Sequence, residues 1–331
     1  MTIAVLIVNW NGGNLLRRCL ESLDRQRRRP DHIVVVDNAS TDDSLRLADA
    51  ALRRVELIRL DNNVGFARAN NLAAQAAHRF DALALLNPDA FAEPGWLEAL
   101  ANAADREPLA ASFASQMRLV AAPTVLDGAG DSYHVSGRAW RNGHGRPGSQ
   151  WPSADSEVFA PCAAAALYRR AAFEEVGGFD EQFFCYFEDI DLGFRLRLRG
   201  YRCLYVHTAV VEHVSSGLTG YRSDFAVYHG ERNAVWTFVK DMPGALFWLY
   251  LPQHLALNIA ALLYYPWRGQ GRIVWKAKFD AVRGLAPMLE RRRLVQSTRR
   301  ADPRTIRRAM IGGIAAPYLS RYTASSKPAP G

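Results

Sequence analysis

Four apolar runs of strand length, each closed by a polar turn and followed by a helical pattern, constrain this chain more than any other feature. They are Ile3 to Val8, Ile33 to Val36, Val55 to Leu60 and Ala82 to Leu86. Between them the period changes. Leu15, Leu16, Cys19, Leu20 and Leu23 recur at helical spacing after the first run, and Phe66 to Ala77 does so after the third. Strands apolar on both faces, alternating with amphipathic helices, predict a parallel sheet covered on both sides, with ligands bound at the strands' C-terminal ends. Polar clusters lie at three such ends: Asn9 to Asn11, Asp37 to Ser40, and Asn87 to Asp89.

A helix is predicted near Gly95 to Arg106, and the Gly-, Ser- and Pro-rich text between Pro123 and Pro152 predicts a long binding loop or a small hairpin insertion. Apolar and small residues resume at Val158 to Tyr168, and Gly177-Gly178 turns the chain towards an acidic helix. In that helix Ile190, Phe194 and Leu198 recur every fourth residue, and Asp191 and Arg195 are spaced for an ion pair one turn apart. Glu188 and Asp189 stand at its mouth behind Phe183, Phe184, Tyr186 and Phe187. Acidic residues there cap a helix and complement its dipole. Two adjacent ones among aromatics also suit a desolvated acid poised for proton transfer.

Other residues carry weaker chemistry of their own. Asp37 and Asn38 can read a base and ribose, or form an Asx turn that starts the next helix. Asn63-Val64-Gly65-Phe66, with Arg68, Asn70 and Asn71, can bring backbone close to a diphosphate at a helix N-terminus. Asn87-Pro88-Asp89 fixes a hard oxygen ligand at a buried strand end, or a simple turn. His213, after a strand-like Leu204 to Val211, can complete a metal site or serve the core. No G-x-G-x-x-G follows the first strand and no G-x-x-x-x-G-K-[ST] occurs, so dinucleotide and P-loop readings lose their main support.

The 331 residues suffice for one large α/β domain with an appendage, or for two domains. Charge divides them. From Arg268 onward 15 Lys and Arg face 3 Asp and Glu, so this end carries +12 of the net +8 and the preceding part −4. No nucleic-acid reader motif accompanies that charge, and nucleic acid is not expected as a partner. Cys19, Cys162, Cys185 and Cys203 form no C-x-x-C pair, which fits reduced thiols rather than a zinc site. No basic segment or cleavage site follows Met1, so a cytoplasmic location is expected. Ala245 to Trp267 is long and apolar but interrupted by Pro252, Gln253, His254 and Asn258, which predicts an interfacial or core-packed helical hairpin rather than a spanning helix. Ser325 to Gly331 reads as a loose tail.

In order and spacing the motifs match a known family over about residues 1 to 220. Ile7-Val8-Asn9-Trp10-Asn11-Gly12, Val36-Asp37-Asn38-Ala39-Ser40-Thr41-Asp42, Asn63-Val64-Gly65-Phe66, Leu86-Asn87-Pro88-Asp89, Gly177-Gly178-Phe179-Asp180-Glu181 and Glu188-Asp189-Ile190-Asp191-Leu192 carry the match. Together they resemble the inverting nucleotide-sugar glycosyltransferases of family 2, in the rhamnosyltransferase-like branch. The resemblance implies a GT-A fold, a Rossmann-like mixed sheet over residues 1–220; 221–331 reads as a basic helical extension whose aromatic and cationic residues predict contact with a membrane surface. It implies nucleotide-sugar contacts at Val8, Asn9, Asp37, Asn38, Gly65, Asn70, Asn87 and Asp89. The family's D-x-D metal motif reads Asn87-Pro88-Asp89 here, so Asp89 is the firm ligand for Mg2+ or Mn2+, with His213 as a further one. Asp189 inherits the catalytic base and Glu188 its support. The implied donor is a dTDP- or UDP-sugar, with rhamnose the leading sugar. The implied acceptor is a saccharide, lipid-linked, at the inner face of a membrane during cell-surface polysaccharide synthesis. The competing expectation is an inactive GT-A domain serving as a membrane-surface scaffold.

Overall fold

The computed structural model describes residues 1–215 and 223–313. The chain opens with β1 (Ile3–Asn9), α1 (Asn14–Asp24), β2 (His32–Asp37), the short α2 (Ser44–Leu47) and α3 (Asp49–Leu52), β3 (Glu56–Arg59), α4 (Phe66–Ala76) and β4 (Ala82–Leu86). Next come β5 (Ala90–Ala92), α5 (Trp96–Arg106), β6 (Ala110–Leu119), β7 (Ala122–Ala129), β8 (Asp131–Tyr133), β9 (Ala139–Arg141) and β10 (Ser156–Val158). β11 (Ala165–Arg169), α6 (Arg170–Glu175), α7 (Glu188–Leu198) and β12 (Arg202–His213) complete the sheet region. The C-terminal helices are α8 (Asp224–Asp241), α9 (Gly244–Trp267), α10 (Gly271–Arg283), α11 (Leu285–Ser297) and α12 (Pro303–Ala309).

The sheet runs β10-β12-β6-β11-β4-β1-β2-β3, with β5 on β12 and β7 on β6. Its β3-β2-β1-β4 half is parallel, as the spacing predicts. In the other half β11 enters antiparallel between β4 and β6, which makes the sheet mixed. Between β6 and its neighbour β11 the only helical element is the single 3-10 turn Gly148–Gln150, and antiparallel neighbours need no crossover helix. The mixed GT-A sheet is therefore the observed one. Alternation along β1 sends Ile3, Val5 and Ile7 into a core with α1 and α5, and Ala4, Leu6 and Val8 into a second core with α4.

The Pro123 to Pro152 insertion is the hairpin alternative: β7 pairs with β6, and β8 with β9. It is not a surface lid, since Leu126, Asp127, Ala129, Asp131 and Tyr133 are all buried. Tyr133 and Phe159 meet Phe194 of α7 edge-on at centroid distances of 5.2 and 5.3 Å, and Phe238, Met242 and Leu246 of the C-terminal helices join the same cluster. The extension thus shares its core with the acidic helix. The boundary expected near residue 220 and the tail from Ser325 lie outside the described residues.

α9 runs unbroken for 24 residues through Pro252 and buries only Leu246 and His254. Its outward residues are apolar and fall in one stripe: Trp248, Leu255, Ile259, Leu263 and Trp267 are each at least half exposed. Trp275, Phe279 and Val282 continue the exposure on α10. By length and apolarity α9 could cross a membrane, yet it is packed along one side against α10. With only Leu246 and His254 buried, α9 is not the core-packed helix of the sequence expectation. All four cysteines are free.

Candidate active site

A cavity of about 590 Å³ opens at the carboxyl ends of β1 and β4. Val8, Asn38, Gly65, Asn87 and Asp89 line it from the parallel half of the sheet. Glu188 and Asp189 line it from the mouth of α7, and His213 from the end of β12. Sequence positions far apart are brought together here by the register of the strands.

Asn9, Asp37 and Asn70 do not reach the lining. Asn9 Nδ2 donates to Asp37 Oδ1 at 2.9 Å and to Ser44 Oγ at 2.9 Å, so the pair braces the β1 and β2 ends behind Val8 and Asn38. Asn70 Nδ2 donates to the Phe66 carbonyl of its own helix at 2.9 Å. Asn38 uses its whole amide: Nδ2 donates to Asn63 Oδ1, and Oδ1 accepts from the Val64 N–H, both at 2.9 Å. This fixes the turn that carries Gly65. Gly65 itself has φ +86°, and a Cβ there would lie 2.5 Å from Phe184 Cδ2 and 2.7 Å from the Phe184 carbonyl oxygen. Its role in the structure is to let the chain before α7 approach α4.

Asp89 and His213 face one another, with Nε2 3.2 Å from Oδ1. On the far side of the imidazole, Nδ1 lies 2.7 Å from Asp127 Oδ2. Asp127 is fully buried and also accepts from Arg141 Nη1 at 2.6 Å. Burial opposes a charge on His213, but the two flanking carboxylates outweigh it and raise its pKa. Asp89 Oδ1 and His213 Nε2 are buried without a hydrogen bond of good geometry, and both are hard or borderline donors suited to a divalent cation. A carboxylate behind the imidazole is the usual support for a ligating histidine.

A second convergence joins Asp131, Cys162 and Asp189, whose ligand atoms lie within 4.8 Å of one another. It is the poorer cation site. Burial pushes the Cys162 thiol up, so it stays protonated, and the Arg141 charge acts on all three groups.

Electrostatics also sort the acids at the mouth of α7. Burial raises Asp189, but the backbone N–H groups of Ala163 (3.2 Å) and Ile190 (2.8 Å) and the Arg141 charge all favour its ionised form. Glu188 and Asp131 are pushed well above the carboxylate range, first by burial and then by the Asp189 charge. Glu188 and Asp131 are thus held towards their neutral forms, and Asp189 is the one of the three whose charge backbone donors favour. The expected Asp191 to Arg195 pair is present, buried, at 2.6 Å. Asp127, Asp131 and Arg141 were not singled out in the sequence. Their signal was two acids flanking Gly128-Ala129-Gly130 in a stretch whose composition reads as loop.

Comparison with known proteins gives the family. The "Glycosyl transferase family 2" profile matches residues 4–177, and "Glycosyl transferase family group 2" matches 109–275. The chain is 31% identical over 269 residues to the N-acetylglucosaminyl-diphospho-decaprenol L-rhamnosyltransferase of Mycobacterium tuberculosis, covering 72% of this chain and 84% of that one. It is 26% identical to the O-antigen chain rhamnosyltransferase RfbN of Salmonella typhimurium, over 64% of this chain and 66% of the relative. Among solved structures, S. aureus TarS 1-349 in complex with UDP-GlcNAc superposes with a TM-score of 0.55 at 17% identity, covering 89% of this chain and 93% of that one. GalNAc-T7, solved with UDP, GalNAc and Mn2+, gives a TM-score of 0.60 at 17% identity over 72% of this chain, which spans 48% of the GalNAc-T7 chain. At those identities the structures bear on the fold alone, and they are GT-A glycosyltransferases. The chain belongs to glycosyl transferase family 2, as a rhamnosyltransferase-like glycosyltransferase of cell-surface polysaccharide synthesis.

Proposed function

We propose that this protein transfers a sugar, rhamnose foremost, from a dTDP- or UDP-sugar to a hydroxyl of a lipid-linked saccharide, with inversion at the anomeric carbon. The observation that carries the reading is the shared cavity: Asp189, Asp89 and His213 line one space with Val8 and Asn38. Asp189 takes the acceptor hydroxyl's proton as that oxygen bonds to the anomeric carbon, and the bond to the nucleoside diphosphate breaks. Glu188 and Asp131, held neutral beside it, are placed to donate hydrogen bonds to a sugar oxygen. Asp89 and His213 would hold Mg2+ or Mn2+, whose charge, when bound, offsets that of the departing diphosphate. Asp127 keeps the imidazole's Nε2 turned to Asp89.

The acceptor reading draws on α9 and α10. An outward stripe of Trp, Leu and Ile beside Arg268, Arg272 and Lys276 suits a helix lying in the headgroup layer of an anionic membrane, where a polyprenyl-linked substrate resides. The M. tuberculosis relative is named for such a lipid-linked acceptor.

Nucleotide release from a panel of dTDP- and UDP-sugars, with and without Mn2+, tests the activity. Asp189→Asn is expected to abolish transfer while leaving nucleotide binding intact, and turnover near wild type would remove Asp189 from the base role. An inactive scaffold would release no nucleotide from any donor yet still sediment with anionic liposomes. Absence of salt-sensitive sedimentation would refute the membrane reading.

A further inference from the structure

The segment leading into Glu188 is the most strained stretch of backbone near the site. Phe184 has φ 64° and ψ −63°, and the Cys185 N–H donates to the Phe183 carbonyl at 2.8 Å, closing a γ-turn of the rare positive-φ kind. Tyr186 and Phe187 follow at φ 66° and 68°. Three bulky residues within four thus occupy a region that costs on the order of 1–3 kcal/mol each unless the surroundings impose it. Both reacting carboxylates hang from the next two residues.

What imposes the conformation is a side chain from α8. Asn233 is completely buried, and its Nδ2 lies 3.0 Å from the Phe183 carbonyl, 3.0 Å from the Cys185 carbonyl and 2.7 Å from the Tyr186 carbonyl. An amide NH2 carries two hydrogens, so this donor is fully engaged with the turn. The amide is itself held in place, because Asn233 Oδ1 accepts from Arg232 Nε at 2.9 Å. Arg232 Nη2 adds a contact to the Phe183 carbonyl at 3.0 Å. On the opposite side the Ala67 N–H donates to the Phe184 carbonyl at 3.2 Å. The turn is clamped between α4, which the donor-side Gly65 precedes, and α8, from the C-terminal extension.

We infer that Asn233 is a positioning residue for the transfer step: it holds the left-handed turn that aims Glu188 and Asp189 into the cavity. The inference rests on the base reading of Asp189 and extends it to a helix of the C-terminal extension. Among the described residues the hydrogen bonds given for the Asn233 side chain go to the turn and to Arg232, so its removal should separate chemistry from binding. Misplacing a catalytic group by an ångström costs about 100-fold in rate.

The test uses the full chain with Asn233→Ala and the isosteric Asn233→Asp. Titration calorimetry with dTDP and UDP should give wild-type affinity for both variants, and the donor KM should be unchanged. The turnover number should fall about 100-fold in Asn233→Ala. It should fall further in Asn233→Asp, where a carboxylate oxygen faces three carbonyls. A residue that merely fills space predicts the reverse order, with the isostere nearly normal. Cys185 gives a readout independent of activity: its partly buried thiol lies inside the turn, and iodoacetamide labelling followed by mass spectrometry should accelerate about tenfold in Asn233→Ala. If Asn233→Asp does not melt cooperatively, Asn233→Ala alone decides through the KM-against-turnover split and the Cys185 rate. Turnover within threefold of wild type in Asn233→Ala, or an unchanged Cys185 rate, overturns the inference. Asp189→Asn run in parallel keeps the two readings apart. A dead Asp189→Asn beside a normal Asn233→Ala sinks only the positioning role, whereas an active Asp189→Asn sinks the base.

Discussion

Replacing Gly65 by alanine tests whether the donor side and the catalytic turn truly interlock. Two costs add at this position. The first is conformational: φ +86° with ψ 165° lies in a region essentially confined to glycine, and holding another residue there costs about 1–3 kcal/mol. The second is steric, since the new Cβ would sit 2.5 Å from a Phe184 ring carbon and 2.7 Å from the Phe184 carbonyl, and overpacking of this kind costs about 1–3 kcal/mol. Gly177→Ala is the control, because φ there is +81° but no atom lies within 4 Å of the added Cβ. It incurs only the conformational cost, about 1–2 kcal/mol. At roughly 2–4 °C per kcal/mol, the summed cost of about 2–6 kcal/mol should place Gly65→Ala roughly 4–24 °C below wild type in scanning fluorimetry, with the smaller cost of Gly177→Ala lowering it by roughly 2–8 °C. Turnover should drop in Gly65→Ala and not in the control, because relief of the clash moves the turn ahead of Glu188. Equal melting temperatures for the two variants would refute the close approach of Gly65 to Phe184, and with it the interlock.

Three further predictions concern charge. Asp127→Asn keeps the shape but weakens the carboxylate behind His213, so Mn2+ affinity measured by calorimetry should fall roughly 10- to 100-fold, and an unchanged affinity would take His213 out of the cation site. Arg141→Gln removes a positive charge that favours ionised Asp189 against its burial, which raises that acid further. A base must be deprotonated to act, so the acidic limb of the kcat/KM profile should move to higher pH, and movement to lower pH would contradict the assignment. Lys240→Met strips a buried ammonium from Asp180 (2.6 Å) and Asp191, which should cost about 3–5 kcal/mol in urea unfolding. Asp180 is buried, yet Lys240 brings it down from 3.8 to about 2, so its stabilising share is complete above the unfolded value and is lost as pH falls from about 4 through about 2. A urea midpoint flat across that window in wild type would rule out the pairing.

The parallel half of the sheet and its polar strand ends were legible because both depend on local pattern. A run apolar on both faces, closed by Asn87-Pro88-Asp89, states its own burial and its own terminus. The antiparallel β11 was not legible, since Ala165 to Arg169 reads the same in either direction and only its partners β4 and β6 set the sense. Burial in the insertion was hidden for a related reason. Gly, Ser and Pro signal turns, and nothing local reveals that Asp127 and Asp131 between those turns point inward. Asp127 is buried against partners supplied by Arg141 and by His213, the latter distant in sequence. Asn9 and Asp37 show the converse: the motif identified them correctly as strand-end residues, but their hydrogen bonds are spent on each other and on Ser40 and Ser44.

The two halves of the sheet divide the chemistry between them, and the division explains why no single stretch of sequence carries the site. The parallel half contributes Val8, Asn38, Gly65 and Asp89 from strand ends and the loops after them, which suits reading a nucleotide. The mixed half contributes His213 from β12, Asp131 from the insertion and Asp189 from α7, which suits handling a hydroxyl and its proton. The halves meet at Asp89 with His213, and again where Gly65 meets Phe184. At both contacts the approach is too close for slack: one brings a buried carboxylate against an imidazole, the other a backbone carbonyl against a glycine. A displacement of either half must therefore disturb binding and proton transfer together unless it is confined to the turn itself. Asn233, whose Nδ2 donates to that turn, is the point at which they can be separated.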